Sequence, residues 1–352
     1  MMSNPLISFA IPIYNFGRFI GHTVDSIVTG SEVLRQEDFE ILVLDGGSTD
    51  DTPTVMSSLM AQYKNLRYLR IESRGGIDHD LNLAISLTSG RYVWLFSGDD
   101  VLCSGWDLYV KPLLIDIDIA LIPAILCDIN MIKRRSNPIF NIPHGSHAVT
   151  FPVHKDDGTL ERYLSLATSL ESLFGFMSSV IVRSDFWHTL PDRKDYYGTC
   201  WAHCARLIQG FRAGCSITYL PKFLVHKRGG NDSFMENGLV ARIGLSIYGW
   251  QRIIEEFFND QVNQATLYEL LRHDISISIF LYGKVSAKTN IESIQLEDMA
   301  RMLYKEKYPT SKSMIQYGLF QISPLKPSLA LIIEPTLPHL IKFRHWVKRY
   351  FP

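Results

Sequence analysis

The chain has 352 residues, with 35 lysines and arginines against 36 aspartates and glutamates, and 46% of its residues are hydrophobic. This composition is typical of a folded globular protein and excludes a disordered chain. The net charge of −1 gives no electrostatic reason to expect a nucleic-acid partner, so none is predicted.

The first hundred residues alternate short apolar runs with helical patterns, which predicts an α/β fold with a parallel sheet covered by helices. In chain order the predicted elements are a strand over 6–13, a helix over 19–28, a strand over 39–44, a helix over 52–63, a strand over 66–71, a helix over 80–89 closed by Gly90, and a strand over 91–96. Polar residues follow the strand ends, and that edge of an open α/β sheet binds ligands.

The remaining pattern is less regular and becomes helical beyond about residue 238. The predicted elements are strand-like alternation over 115–132, a long loop over 136–158, a helix over 160–169, strands over 178–183 and 217–225, a helix over 202–209 closed by Gly210, and helices over 245–258 and 266–282. We therefore predict a boundary after residue 237, with a helical region over 238–352.

Two adjacent aspartates, Asp99 and Asp100, follow the fourth predicted strand. Neighbouring carboxylates repel each other, so they favour a bound cation. Mn²⁺ or Mg²⁺ held by one or two carboxylates, and completed by phosphate oxygens and water, meets this need. The alternative is a solvated acidic turn.

Four stretches carry a resemblance to a known family: ISFAIPIYN, EILVLDGGSTDDT, GGIDHDLNLAISLTSGRYVWLFSGDD and ITYLPKFLVHKRGGNDS. Over about residues 6–235 the chain resembles the GT-A-fold, family 2 glycosyltransferases, and among them the abequosyltransferase-like enzymes of O-antigen assembly. The resemblance implies a Rossmann-like, mixed and mostly parallel sheet flanked by helices. It also implies a nucleotide-sugar half over about 1–102 and an acceptor half over about 103–237.

The resemblance implies roles for residues at the first two strand ends. Pro12, Tyr14 and Asn15 would line the nucleotide pocket, and Asp45 would accept a hydrogen bond from the base. Many relatives carry a second aspartate after Asp45, whereas this chain has Gly46.

The resemblance also implies a diphosphate and metal site. Asp100, helped by Asp99, would hold the divalent metal that bridges the donor's two phosphates, because Ser97 replaces the first acid of the family's Asp-x-Asp pattern. Arg228 would fold over the diphosphate. His226 is either a third metal ligand or an ordinary loop histidine.

Other assignments leave alternatives open. Asp78 and Asp80 would bind base, ribose or sugar hydroxyls, or Asp80 would cap the helix after it. The acidic pair that serves inverting relatives as catalytic base is replaced by 199–200, which is Thr-Cys. The substitutes are His203, whose ordinary pKa suits proton transfer, and Asp195.

The C-terminal segment 338–351 combines four basic residues with seven apolar or aromatic ones. Such an amphipathic helix binds a membrane interface or packs on the protein's own core, and we favour the membrane by family analogy. The N-terminus lacks a secretory pattern, no apolar run reaches membrane-spanning length, and the five cysteines are scattered. These features predict a cytoplasmic protein, peripheral on the inner face of the cytoplasmic membrane.

Together these features predict a metal-dependent, inverting glycosyltransferase. It would move a sugar, such as a deoxy sugar, from a nucleoside-diphosphate donor to a hydroxyl of a glycan or polyprenyl-linked saccharide. The alternatives are a non-catalytic nucleotide-sugar or glycan-binding module of the same fold, and a sugar-phosphate nucleotidyltransferase. The second alternative is disfavoured because IPIYNFGR lacks the Gly-rich basic loop of those enzymes.

Overall fold

A computed structural model of the protein describes residues 4–322. The strands are β1 Ile7–Ile13, β2 Phe39–Asp45, β3 Leu66–Arg70, β4 Tyr92–Leu95, β5 Val101–Leu102, β6 Ile119–Leu121, β7 Ala124–Cys127, β8 Lys133–Asn137, β9 Val149–Val153, β10 Val180–Arg183, β11 Cys215–Tyr219 and β12 Val225–Lys227. The helices are α1 Gly17–Thr29, α2 Thr52–Gln62, α3 Ile77–Ser86, α4 Trp106–Val110, α5 Thr159–Leu166, α6 Ser184–Thr189, α7 Ala202–Ile208, α8 Gly210–Ala213, α9 Leu239–Phe257, α10 Gln261–Asp274, α11 Ile277–Ser286, α12 Asn290–Arg301 and α13 Ser311–Ile322.

The chain forms two compact units, Met1–Arg228 and Gly229–Pro352. The first contains an eight-stranded sheet in the order β3-β2-β1-β4-β10-β6-β11-β9 and a four-stranded sheet in the order β5-β12-β7-β8. In the large sheet β3, β2, β1 and β4 are parallel, β10 runs antiparallel to both neighbours, and β6 and β11 are parallel again. The predicted mixed, mostly parallel sheet with flanking helices is confirmed.

An aromatic core beneath the sheet holds β1 and β4 in place. Every residue of β1, β2 and β4 is buried. The ring of Phe9 stacks on Trp94 at 5.3 Å between centroids and meets Trp106 edge-on at 5.4 Å. Fully buried aromatic groups contribute much of the apolar stabilisation of a core, so the carboxyl ends of β1 and β4 project from a rigid base.

In the first unit, three of the predicted elements differ from the structure in extent. The predicted loop 136–158 contains β9, which pairs antiparallel with β11 as an edge strand and so tolerates Pro152. The predicted strand 217–225 divides at Pro221 into β11 of the large sheet and β12 of the small sheet. The helix predicted over 80–89 is α3, which ends at Ser86, and Gly90 instead packs against Ser8, whose hydroxyl accepts its amide hydrogen at 2.8 Å.

The second unit is helical where it is described, as the helical pattern beyond residue 238 predicts. The pattern over 266–282 corresponds to two helices, α10 and α11, and not to one. The buried Arg272 of α10 donates hydrogen bonds to the carbonyls of Leu303, Lys307 and Tyr308. The predicted amphipathic segment 338–351 lies outside the described residues. None of the helices within 4–322 combines the length and apolarity needed to cross a membrane.

Candidate donor site

Two aspartates stand where the chain leaves β4, and Asp100 is only 2% exposed. Its Oδ2 accepts a hydrogen bond from the Ser178 hydroxyl at 2.6 Å, and its Oδ1 accepts one from the Arg228 amide at 2.9 Å. Both partners are neutral groups. Burial, and after it the charge of Asp99, raises the pKa of Asp100 to about 8. The site therefore favours a proton or a cation at this carboxyl group.

The loop geometry before the aspartates depends on Gly98. A Cβ at this position would lie 2.4 Å from Cγ2 of Ile13, so only glycine fits. The Gly98 carbonyl accepts a hydrogen bond from the Thr23 hydroxyl at 2.9 Å, which ties the loop to α1. Ser97 donates its hydroxyl to the Asp99 carboxylate. Ser97 thus occupies the position of the first acid in the family's Asp-x-Asp pattern, and its hydrogen bond orients the carboxylate of Asp99.

Arg228 lies against the same loop from β12. Its Nε donates to the Asp99 carbonyl at 2.8 Å and its Nη1 to the Ile129 carbonyl at 2.7 Å. Its guanidinium also lies 4.9 Å from the centre of the Phe19 ring. The side chain is therefore a fixed positive charge beside the acidic pair, which is suitable for an anionic ligand.

The donor set fits a divalent cation that takes part of its coordination from a ligand and water. Among residues 4–322, no three His, Cys, Asp or Glu side chains group closely enough to hold a metal by themselves. His226, the predicted third ligand, has its Nε2 3.5 Å from the Cys103 sulfur. Burial lowers the pKa of His226. Its role as a metal ligand stays a prediction.

Asp45 ends β2 and is fully buried. Its Oδ1 accepts hydrogen bonds from the Ser48 amide at 2.8 Å and the Ser48 hydroxyl at 2.6 Å. Its Oδ2 accepts one from the Tyr68 hydroxyl at 2.5 Å, with Arg70 Nε 3.7 Å away. Both oxygens are thus bonded within the fold, and recognition of the base by Asp45 stays a prediction.

The turn after β1 is joined to the turn after β2 by side-chain hydrogen bonds. Asn15 has a positive φ of 59°. Its backbone amide donates a hydrogen bond to the Ser48 hydroxyl at 2.8 Å, and its side-chain Oδ1 accepts one from the Thr49 backbone amide at 2.8 Å. Tyr14 lies under the guanidinium of Arg74 at 4.6 Å from the ring centre. These contacts bring the predicted nucleotide-pocket residues to one edge, while Pro12 lies buried within β1.

Asp78 and Asp80 lie in the first turn of α3 and have different partners. Asp78 accepts three backbone hydrogen bonds, from Gly198 at 2.9 Å, Cys200 at 2.9 Å and Ala202 at 3.1 Å. It therefore fixes the loop that begins α7. Asp80 belongs to the helix and is not its N-cap, so the predicted capping of the next helix is wrong.

The two candidates for the catalytic base lie in different surroundings. His203 is half-buried beside a small cleft, and its Nε2 lies 3.1 Å from the Phe174 carbonyl, so that nitrogen carries the hydrogen. Burial lowers the pKa of His203, although the charge of Asp78 partly opposes this. Asp195 receives two hydrogen bonds from Arg193, at 2.9 Å and 2.7 Å, and is half exposed.

Two side chains of this region had no signal of their own in the sequence. Ser178 precedes β10, which is antiparallel to β4, and it donates to Asp100 while accepting the Ser97 amide hydrogen at 2.9 Å. Arg74 is one polar residue in a polar turn, and only the fold shows it lying over Tyr14. Both contacts depend on strand order, which local patterns do not specify.

The sheet order, with an acidic pair after its fourth strand, is that of a GT-A fold, and the family model and the relatives below define the class of the protein as a glycosyltransferase. Residues 8–117 match the family model described as glycosyl transferase family 2.

Known proteins agree with this assignment. The chain is 28% identical over 271 residues to the abequosyltransferase RfbV of Salmonella typhimurium, covering 75% of this chain and 79% of that protein. Its fold is similar to residues 1–349 of S. aureus TarS in complex with UDP-GlcNAc, with a TM-score of 0.59 and 16% identity over 90% of both chains. It is also similar to a mannosyltransferase of Pyrobaculum calidifontis in complex with GDP-Man and Mn²⁺, with a TM-score of 0.50 and 14% identity over 91% and 85% of the two chains.

Proposed function

We propose that the enzyme transfers a sugar from a nucleoside-diphosphate donor to an acceptor hydroxyl, with a divalent metal and with inversion at the transferred carbon. The observation that carries the proposal is the buried Asp100 beside Asp99, whose hydrogen-bond partners are neutral. A carboxyl pair of this kind favours a divalent cation. Arg228 lies beside it as a positive charge for the diphosphate.

Asp100 and Asp99 would hold Mn²⁺ or Mg²⁺. When bound, such an ion neutralises negative charge on the departing nucleoside diphosphate. Arg228 would contribute to the same stabilisation, since its guanidinium is fixed by the Asp99 and Ile129 carbonyls. The complex of the Pyrobaculum mannosyltransferase with GDP-Man and Mn²⁺ supports this choice of ligands.

His203 is the base that the geometry supports over Asp195. Its Nε2–H donates to the Phe174 carbonyl, and its Nδ1 accepts no hydrogen bond from residues 4–322. That nitrogen is free to take the proton of the acceptor hydroxyl as its oxygen attacks the sugar. The carboxylate of Asp195, by contrast, is engaged by Arg193.

The acceptor we propose is a glycan or polyprenyl-linked saccharide of surface polysaccharide or O-antigen assembly. The similarity to an abequosyltransferase supports this class and a donor such as a deoxy sugar. A peripheral membrane contact through 338–351 would bring the enzyme to a lipid-linked acceptor.

Ligand-dependent melting tests the donor class. Nucleoside diphosphates and their sugars are screened with and without Mn²⁺, and a ligand of the native state raises the Tm by mass action. We expect one base to stand out, with a larger shift when Mn²⁺ is present. No shift with any nucleotide would contradict the proposal.

Turnover separates an enzyme from a binding module. We expect sugar transfer or slow donor hydrolysis by the wild type, and its loss in Asp100→Ala. Asp116→Ala, which removes an exposed carboxylate paired with Arg91, is the control and should retain activity. Donor turnover by Asp100→Ala at the wild-type rate would refute the metal role of Asp100, and nucleotide binding without turnover by the wild type would favour the binding module.

A further inference from the structure

One carboxylate oxygen of Asp80 has no hydrogen-bond partner among residues 4–322, although the side chain is buried. The residue is only 4% exposed. Its Oδ1 accepts a hydrogen bond from the Gly75 amide at 3.2 Å and contacts His79 Nδ1 at 3.0 Å. Its Oδ2 accepts no hydrogen bond from residues 4–322 and is not sealed from solvent. A buried carboxylate normally has its oxygens satisfied, so a ligand is a natural partner for Oδ2.

The free oxygen lies at the carboxyl end of β2, next to Gly46. A Cβ at position 46 would lie 3.1 Å from Asp80 Oδ2 and 3.5 Å from the backbone of Arg74. The first distance is tighter than an ordinary contact, so a side chain at 46 and the carboxylate of Asp80 compete for the same space. The glycine at this position leaves room for the carboxylate of Asp80, which lies in α3.

The neighbouring groups suit a nucleoside. Asp45 also ends β2, but both of its oxygens accept hydrogen bonds within the fold. Between these two carboxylates, Asp80 is therefore the one with an oxygen available to a ligand. Arg74, whose backbone lies beside Gly46, holds its guanidinium over the ring of Tyr14. Planar groups of this kind stack against a flat base.

We propose that Asp80 recognises the nucleoside of the donor, with Oδ2 accepting a hydrogen bond from an N–H of the base or an O–H of the ribose. This inference rests on the proposed function, because it places the nucleoside at the β1–β2 edge. Of the alternatives that the sequence left open for Asp80, it selects the base or the ribose, and it gives to a residue of α3 a recognition that the resemblance also assigns to Asp45. Gly46 then contributes because it has no side chain and so leaves space for the carboxylate of Asp80.

The test is the dissociation constant of the wild-type enzyme's preferred nucleoside diphosphate, measured by calorimetry with Mn²⁺ present. In Asp80→Asn the shape and the Gly75 contact can be kept while the negative charge is lost. We expect binding about 10- to 100-fold weaker, the usual effect of losing a hydrogen bond to a charged group. Glu72→Gln removes an exposed charge from the same turn and should leave the affinity unchanged. Equal affinity of Asp80→Asn and wild type would overturn the inference.

A second pair of variants tests the place of the carboxylate. In Asp80→Ala the space beside Gly46 is vacated, so adding Gly46→Asp returns an acid to the same region. We expect the double variant to bind at least several-fold tighter than Asp80→Ala. No recovery, in a double variant whose melting temperature matches that of Asp80→Ala, would overturn the spatial argument.

Deoxynucleotides show whether the base or the ribose donates the hydrogen bond to Asp80. If the loss in Asp80→Asn disappears with a 2′- or 3′-deoxy diphosphate, the partner is that ribose hydroxyl. If the loss persists with both, the partner is the base. Either result supports the inference. Failure of the proposed function has a different signature, because the wild type itself would then bind no nucleoside diphosphate.

Discussion

Asp100 combines a cost in stability with a proposed function in metal binding. Burial and the charge of Asp99 raise its pKa to about 8, so its ionised form is unfavourable while no cation is bound. The hydroxyl of Ser178 and the amide of Arg228 orient it without neutralising it. The same arrangement that weakens the metal-free fold would make the site selective for a cation.

Asp100→Asn should therefore move stability and activity in opposite directions. In the presence of EDTA at pH 7 we expect the Tm to rise by about 2–4 °C. The buried Asp100, with its raised pKa, must take up a proton on folding, and removing this cost is worth about 1 kcal/mol or more. The Mn²⁺-dependent rise in Tm and at least about 99% of the transfer rate should be lost. Scanning calorimetry and a product assay measure both effects. An unchanged Mn²⁺ shift would show that the metal binds elsewhere.

His203 should control the acid limb of the pH–rate profile. Burial lowers its pKa, so a base at this position is neutral at pH 7 and becomes protonated only below the ordinary value of 6.5 for histidine. We expect the rate to fall as the pH drops through that lowered pKa, and His203→Gln to lower kcat by about 10²–10⁴-fold. The donor KM should change little, because the side chain acts on the acceptor.

Asp195→Asn is the matched variant for the alternative base. Because Arg193 already engages its carboxylate, we expect kcat to change less than about threefold. A large loss of kcat in Asp195→Asn, together with a normal kcat in His203→Gln, would identify Asp195 and not His203 as the base.

At the scale of elements, hydrogen bonds connect α3 to the loop that begins α7. Asp78, in the first turn of α3, accepts hydrogen bonds from the amides of Gly198, Cys200 and Ala202. These groups would otherwise lie unsatisfied at the start of the helix that carries His203. The carboxylate thus joins the donor-side helix to the candidate base.

Asp78→Ala should loosen this loop. Leaving buried amides unpaired costs about 2–4 kcal/mol in the free energy of unfolding, or a Tm lower by about 5–10 °C. Hydrogen exchange of the amides at 198–202 should rise more than that of the central strands. Asp116→Asn, which removes an exposed charge and keeps a residue type that tolerates the positive φ of 52° at this position, should change stability by less than about 1 kcal/mol. Unchanged exchange at 198–202 would contradict the role of Asp78.

At the scale of the whole molecule, the proposed membrane contact depends on residues 338–351. Replacing Lys342, Arg344, Lys348 and Arg349 by Gln should weaken binding of the full chain to phosphatidylglycerol-containing vesicles by at least about tenfold, since each such charge contributes about 1 kcal/mol near an anionic surface. Wild-type binding should also fall as salt rises. Co-sedimentation measures both, and vesicles without anionic lipid are the control. Equal binding of the two proteins would refute the contact.

Local patterns in the sequence determined the first half of the fold. Apolar runs bounded by polar turns located β1, β2, β3 and β4 within one or two residues. For β1, β2 and β4 the reason is that strands buried on both faces leave a continuous apolar signal. The same patterns placed Asp45 and the pair Asp99 and Asp100 at strand ends. They missed β9, because an edge strand that contains proline has a weak signal.

The tertiary structure alone decided the partners of these residues. Asp100 contacts Ser178, just before β10, and Arg228, just after β12, which lie 78 and 128 positions away along the chain. Asp78 and Asp80 are two residues apart, yet Asp78 accepts three backbone hydrogen bonds from the loop before α7. Asp80 has an oxygen beside Gly46 that accepts no hydrogen bond from the described residues, 4–322. Hydrogen bonds over such separations depend on sheet order and helix placement, and residue type alone does not encode them. The sequence by itself therefore determined the strand ends and the acidic pair, whereas the packing of β10, β12 and α7 decided which carboxylates are structural and which remain open to a ligand.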